Sequence, residues 1–207
     1  MATGAAPSGA LEAIVLAAGA GVRFGGAKLT APWREGLLID GALTAAFAAP
    51  VRAVTVVTGA DPKVEGAARR FAQRREDGRR LRLVAAADHA QGMSATLRAG
   101  IASLADDTTG AFVFLGDMPL IPATVLHVLA KALAAGALAS APVFDGQRGH
   151  PVLFGRALFQ ELCALAGDTG ARSVLASIGD RLALVQSPDA GVLFDIDTLA
   201  DLGLGPG

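Results

Sequence analysis

From residue 11 onward the chain alternates short apolar runs with longer stretches whose apolar residues fall three and four apart. The runs Ala13–Ala17 (AIVLA), Ala53–Val57 (AVTVV), Leu81–Ala85 (LRLVA) and Ala111–Leu115 (AFVFL) lean on β-branched and aromatic residues. Each stops at a turn-forming segment, which is the pattern of strands buried on both faces. Between them, Ile39–Ala49, Pro62–Arg75 and Ser94–Ala105 carry helix formers at helical spacing. The second half predicts a helix over Pro122–Ala135, with Pro122 suited to its first turn, and a strand over Leu138–Val143. The polar turn Asp145–Gly149 then leads to a short strand at Pro151–Phe154. Helices at Ala157–Ala164 and Ala171–Ile178 precede a strand at Leu182–Val185. A final strand is predicted at Val192–Ile196, running into a short helix after Asp197 and Thr198. Strand–helix alternation of this kind predicts an α/β fold built of βαβ units, one three-layer α/β/α domain with a mostly parallel sheet. The domain is expected over 11–207, with the small, polar residues 1–10 as a flexible tail. Ligands of such sheets gather at the carboxyl ends of the strands.

Composition narrows the function. Hydrophobic residues make up 52% of the chain and charged ones 18%, which excludes disorder. A net charge of −1 offers no basic field for nucleic acid. The arginine-rich stretch from Arg69 to Arg82 contains Glu76 and Asp77 and no interleaved aromatic pair, and reads as a solvated helix face and turn. Cys163 is the one cysteine, so an internal disulfide or a cysteine-only metal site is excluded. Its neighbours Leu158, Leu162 and Leu165 predict a small buried residue there. No Lys or Arg precedes Arg23, and the first apolar run flows directly into glycines, unlike a secretory signal. Outside that region no apolar segment reaches the span of a bilayer, so a cytoplasmic protein without membrane contact is expected.

Candidate chemistry starts with Leu16–Leu29, LAAGAGVRFGGAKL. A dinucleotide-binding GxGxxG would begin at Gly19-Ala20-Gly21, but Phe24 holds its third glycine position. No acidic residue ends the second strand either. A Walker loop fits the spacing from Gly21 to Gly26, yet Ala27 intervenes before Lys28 and Leu29 has no hydroxyl for a metal. What remains is a glycine loop with Arg23 and Lys28 five apart. Freed backbone N–H groups and two cations suit a triphosphate and a departing pyrophosphate. The spacing alone leaves a phosphate loop and a plain glycine-rich turn equally open. Asp117, after the run Ala111–Leu115, is either an Asx-type turn former or a carboxylate at a strand end. His89 and His127 are unremarkable, and three scattered histidines make no metal site.

The loop resembles the signature LAxGxxxRxGxxK of nucleotidyltransferases with a Rossmann-like fold. Further segments follow in the same order: Gly92–Gly100 (GMSATLRAG), Leu115–Pro119 (LGDMP), Arg148–Phe154 (RGHPVLF), Gly167–Arg172 (GDTGAR) and Asp195–Thr198 (DIDT). Together they resemble the molybdenum cofactor cytidylyltransferase group of the MobA-like nucleotidyltransferase family, over nearly the whole chain. The resemblance implies a Mg²⁺-dependent enzyme that moves CMP from CTP to the phosphate of molybdopterin and releases pyrophosphate. It implies that Arg23, Lys28 and Asp117 are catalytic, and that Leu16, Ala17, Ala18, Gly19, Gly21, Arg23 and Lys28 contact the nucleotide. Thr58, Asp88, Gly92 and Ser94 map near base and ribose. Asp117 and Asp197 map onto the Mg²⁺ ligands, with Asp195 a weaker candidate; on a strand, 195 and 197 would share one face. His150 is either a turn histidine or a contact to the acceptor's phosphate. Ala18 stands where guanylyltransferases tend to carry a second glycine, which favours CTP over GTP.

Two departures bear on the acceptor. Trp33-Arg34-Glu35-Gly36 replaces the Gly-Gly-x-Pro-Leu-Leu segment, and Leu199 stands where the closing motif has proline. The resemblance therefore also admits GTP as donor, or another small phosphorylated acceptor. It further admits an accessory protein for a molybdenum hydroxylase apoenzyme, or an NAD(P)H-dependent reductase. The missing dinucleotide fingerprint counts against the last.

Overall fold

The computed structural model describes residues 10–19, 21, 24–167 and 170–203. In chain order the elements are β1 (Ala10–Ala17), the two-residue strands β2 (Pro32–Trp33) and β3 (Gly36–Leu37), α1 (Leu38–Ala48), β4 (Val54–Thr58), α2 (Lys63–Gln73) and β5 (Leu81–Ala85). They continue with α3 (Met93–Ala102), β6 (Thr108–Leu115), α4 (Ala123–Ala134), β7 (Ala139–Phe144), β8 (Gln147–Arg148) and β9 (Val152–Gly155). The last are α5 (Phe159–Cys163), α6 (Arg172–Ser177) and β10 (Leu182–Gln186). Of the expected tail, residues 1–9 lie outside the described residues, and Ala10 already belongs to β1.

The main sheet runs β10-β7-β9-β6-β1-β4-β5, with β8 paired to β7. Its β1, β4, β5 and β6 ladders are parallel, as is β7 with β10. Only β9 and the stub β8 run against their neighbours. The reason is connection length: the few residues between β7 and β9 allow a hairpin return but no crossover. Side-chain alternation makes the layers. Ala13, Val15 and Ala17 of β1, with Phe112 and Phe114 of β6, pack under α1, α2 and α4. Ile14 of β1, with Ala111 and Val113 of β6, packs under α3, α5 and α6. The expected three-layer α/β/α domain with a mostly parallel sheet is what the chain forms.

Two expectations fail locally. Val192–Ile196 is no strand: Ala190–Val192 is a 3-10 turn, and irregular chain follows. Val192 and Ile196 are fully buried as single plugs four apart, so their hydrophobicity goes into the core rather than into a ladder. Asp195 and Asp197 therefore share no strand face. Cys163, expected to be buried, is exposed. Leu158 and Leu162 take the inward stripe, and the next position on the helix steps round to water.

Candidate active site

The site is assembled at the carboxyl ends of β1, β4 and β6. Ala18, just past β1, is buried, and its carbonyl accepts the Ala60 N–H at 3.2 Å. That approach of two strand ends requires glycine at 59, since a Cβ there would lie 2.7 Å from Ala18 Cβ and 2.9 Å from its oxygen. Further along, the Gly21 carbonyl accepts the N–H groups of Phe24 and Gly26, both at 3.0 Å. Phe24 and Leu29 are buried in the layer under α1 and α2 and pin the loop at both ends. Between these anchors Gly25, Gly26 and Ala27 all have positive φ (91°, 94° and 48°), and the turn delivers Lys28 to the cleft. Arg23, assigned to the same loop, lies outside the described residues.

Lys28 Nζ lies 2.8 Å from Asp117 Oδ2 and 3.1 Å from Asp197 Oδ1. The three side chains are 10%, 27% and 47% exposed, so the ammonium is the best covered of the group. Burial alone would lower the Lys28 pKa, but the hydrogen bonds and charges of Asp117 and Asp197 outweigh it and hold the pKa above the ordinary lysine value. Asp117 follows β6 directly, and its carbonyl accepts the Ile196 N–H at 3.1 Å, tying the closing segment to the strand end. Asp195 sits within electrostatic reach; burial, then the charges of Asp197 and Asp117, raise its carboxyl above the usual range. Among the described residues no three His, Cys, Asp or Glu side chains converge as a ready metal cage. Two carboxylates around one cation do fit Mg²⁺, which takes one or two carboxylates and completes its shell with phosphate oxygens and water.

Two adjoining hollows lie here, and the first reaches Lys28 and Asp117. The first, about 560 Å³, is lined by Leu16, Ala18, Gly19, Gly21, Lys28 and Asp117 on one side. His89, Gly92, Met93 and Thr96 line it on the other, so the N-terminal turn of α3 faces the cleft and favours negative charge there. The second, about 510 Å³, shares Leu16, Met93 and Leu115 with the first and adds Arg148, His150 and Arg172.

Other assigned residues stand further off. Ala17 is buried in the sheet layer. Thr58 is buried, with its hydroxyl 3.4 Å from the Val84 carbonyl, and it is absent from the cleft wall. Ser94 is fully buried and also absent from that wall. Asp88 is an exposed turn residue whose carbonyl accepts the Gln91 N–H at 2.8 Å. His150 borders the second hollow, and its Nδ1 is buried without a partner. Burial lowers its pKa to about 4, so the ring is neutral near pH 7 and offers an acceptor phosphate no charge. His89 was missed: it lines the first hollow, with Nδ1 3.0 Å from the Ala86 carbonyl. Its place just before Gly92, between β5 and α3, was the available signal.

A glycine loop, a lysine–carboxylate cluster and two adjoining hollows at the carboxyl ends of the central strands suit a nucleotidyltransferase. The MobA-like NTP transferase domain matches residues 13–183, and the chain belongs to that family. It is similar to the molybdenum cofactor cytidylyltransferase of Escherichia coli K12, 26% identical over 93% of each chain. The crystal structure of Rv0371c from Mycobacterium tuberculosis H37Rv superposes with a TM-score of 0.77 at 25% identity, covering 93% of this chain and 95% of that one. A nucleotidyl transferase from Methanothermobacter shares the fold at a TM-score of 0.71 and 22% identity, over 93% of this chain and 94% of its own. No helix among the described residues is long and apolar enough to cross a membrane.

Proposed function

We propose that the protein moves CMP from CTP to the phosphate of molybdopterin, releases pyrophosphate and uses Mg²⁺. The observation that carries this reading is the Lys28–Asp117–Asp197 cluster, whose Lys28 and Asp117 line the first hollow next to the second. In this reading the first hollow takes the nucleotide. The methyl of Ala18 narrows its wall relative to glycine, which favours the smaller pyrimidine. The second takes the acceptor, with Arg148 and Arg172 available to its phosphate. An acceptor phosphate oxygen attacks the α-phosphorus, a new P–O bond forms, the bond to the bridging oxygen breaks, and pyrophosphate leaves. Lys28 and the N-terminal turn of α3 stabilise the negative charge that spreads over the transferring and leaving groups. Asp117 and Asp197 would hold Mg²⁺, which supplies neutralisation and alignment of phosphate oxygens when bound. The reading carries a cytoplasmic setting with it, where nucleoside triphosphates are held.

The test is a thermal-shift panel of CTP, GTP, ATP and UTP with Mg²⁺. A specific nucleotide at a hundredfold excess over its Kd stabilises by about 2.7 kcal/mol. The largest shift is expected with CTP. A larger shift with GTP overturns the choice of base, and no shift with any of the four overturns the reading.

A further inference from the structure

We propose that Lys28 is a resident counter-ion for the metal site, closing Asp117 and Asp197 on its own ammonium until a nucleotide gives it another anion. The inference rests on the reading that these carboxylates take a divalent cation, and it adds how that cation is admitted.

Three observations carry it. The ammonium bridges one oxygen of each carboxylate at 2.8 and 3.1 Å, and so draws on the same two groups that would hold a shared cation. Lys28 is also nearly covered, so in this position it gains charge-assisted partners rather than water. Finally, the loop aims it there: Phe24 and Leu29 are fixed in the core, and Gly25, Gly26 and Ala27, all at positive φ between them, turn the chain so that Lys28 faces the carboxylates. The first hollow begins at Lys28 itself, so the triphosphate that would receive the ammonium arrives beside it.

A divalent cation held by the two carboxylates would repel the ammonium beside them, so metal and Lys28 compete for this pair. Metal alone must therefore displace Lys28 from its two charge-assisted partners with no triphosphate to receive it, and binds weakly. A triphosphate removes that obstacle, so metal and nucleotide load together. Unproductive metal binding is suppressed, and Lys28 reaches the phosphates only when the carboxylates have their own cation.

The test is Mn²⁺ binding without nucleotide, read from the free-Mn²⁺ electron paramagnetic resonance signal. Lys28→Met and Lys28→Gln should bind Mn²⁺ at least tenfold more tightly than the wild type, and Asp117→Asn should remove the gain. Unchanged or weaker binding in folded Lys28 variants overturns the proposal. A second measurement needs no variant: reductive methylation of the wild type, followed by mass spectrometry of the Lys28 peptide. Saturating Mn²⁺ should speed Lys28 labelling, and an unchanged or slower rate overturns the proposal. Failure of the transferase reading would show instead in the nucleotide panel, where no Mn²⁺ titration enters.

Discussion

Asp201 Oδ2 accepts the main-chain N–H of Asp197 at 3.0 Å, and the same oxygen takes the N–H of Thr198 at 2.7 Å and its hydroxyl at 2.9 Å. Asp197 has no strand or long helix to aim it, so this collar fixes the carboxylate opposite Asp117. The Thr198 N–H and hydroxyl, in that order, hold the Asp201 carboxyl below its usual pKa range. Asp201→Ala should weaken Mn²⁺ binding by about 10–100-fold, the range for losing a group that orients a metal ligand. Asp201→Asn keeps an acceptor oxygen and should recover part of it. Calorimetric or resonance titration of Mn²⁺ decides; unchanged affinity in Asp201→Ala would remove the positioning role.

At the opposite end of the sheet, the fully buried Glu12 of β1 is held by Arg52 at 2.9 Å, Arg82 at 3.1 Å and the Thr108 hydroxyl at 3.0 Å. Arg52 also pairs with Asp107. Arg52→Ala leaves a buried carboxylate with one cation fewer and should lower the urea midpoint. The double variant Glu12→Leu/Arg52→Leu should cost less than Arg52→Ala, because no buried carboxylate remains and the charges left behind, Arg82 and Asp107, are solvated. Nucleotide shifts should survive in both, since the cluster lies at the far end of β1.

How much of this was legible in the sequence depends on the range of the interaction. Strands such as Val54–Thr58 and Thr108–Leu115 announce themselves because both faces are buried and the apolar run is local. Lys28 and Asp117 were legible as a glycine-loop cation and a strand-end carboxylate, and folding brings them to 2.8 Å. Glu12 was not, because an acid inside an apolar run makes sense only once Arg52 and Arg82 are placed beside it. Val192–Ile196 misled because an apolar run buried as separate plugs looks, in one dimension, like a strand. Thr58 and Ser94 were placed near the nucleotide by segment, and segment position does not say which way a side chain turns.

Gly59→Ala should be costly. Its new Cβ would stand 2.7 Å from Ala18 Cβ and 2.8 Å from the His89 ring, so the strand ends on both sides of the cleft must part. A loss of about 1–3 kcal/mol is expected from such overpacking, with a weaker CTP shift. Gly19→Ala is the control for stability, since a Cβ there meets nothing within 4 Å. Thermal melts of the two variants check the contrast.

His150 predicts an acid limb. Its folded pKa, lowered by burial to about 4, lies below the ordinary value of 6.5. The unfolded chain therefore binds the proton more readily between those values. Stability is complete above pH 6.5 and falls as pH drops toward 4, by up to about 3 kcal/mol from this group. His150→Gln should flatten that limb. Urea midpoints at pH 7, 5.5 and 4.5 measure it, and an equal slope in both proteins would contradict the assignment.

Transfer chemistry at the Lys28–Asp117–Asp197 cluster is read out by pyrophosphate release. With CTP, Mg²⁺ and purified molybdopterin-form cofactor, the wild type should release pyrophosphate, and omission of either substrate should abolish it. Asp117→Asn should lose the release by about three orders of magnitude, on the scale of removing a transition-state electrostatic contact, while keeping its melting temperature. Pyrophosphate release at the wild-type rate from Asp117→Asn, or none from the wild type with any triphosphate and this acceptor, would rule out nucleotidyl transfer at this cluster.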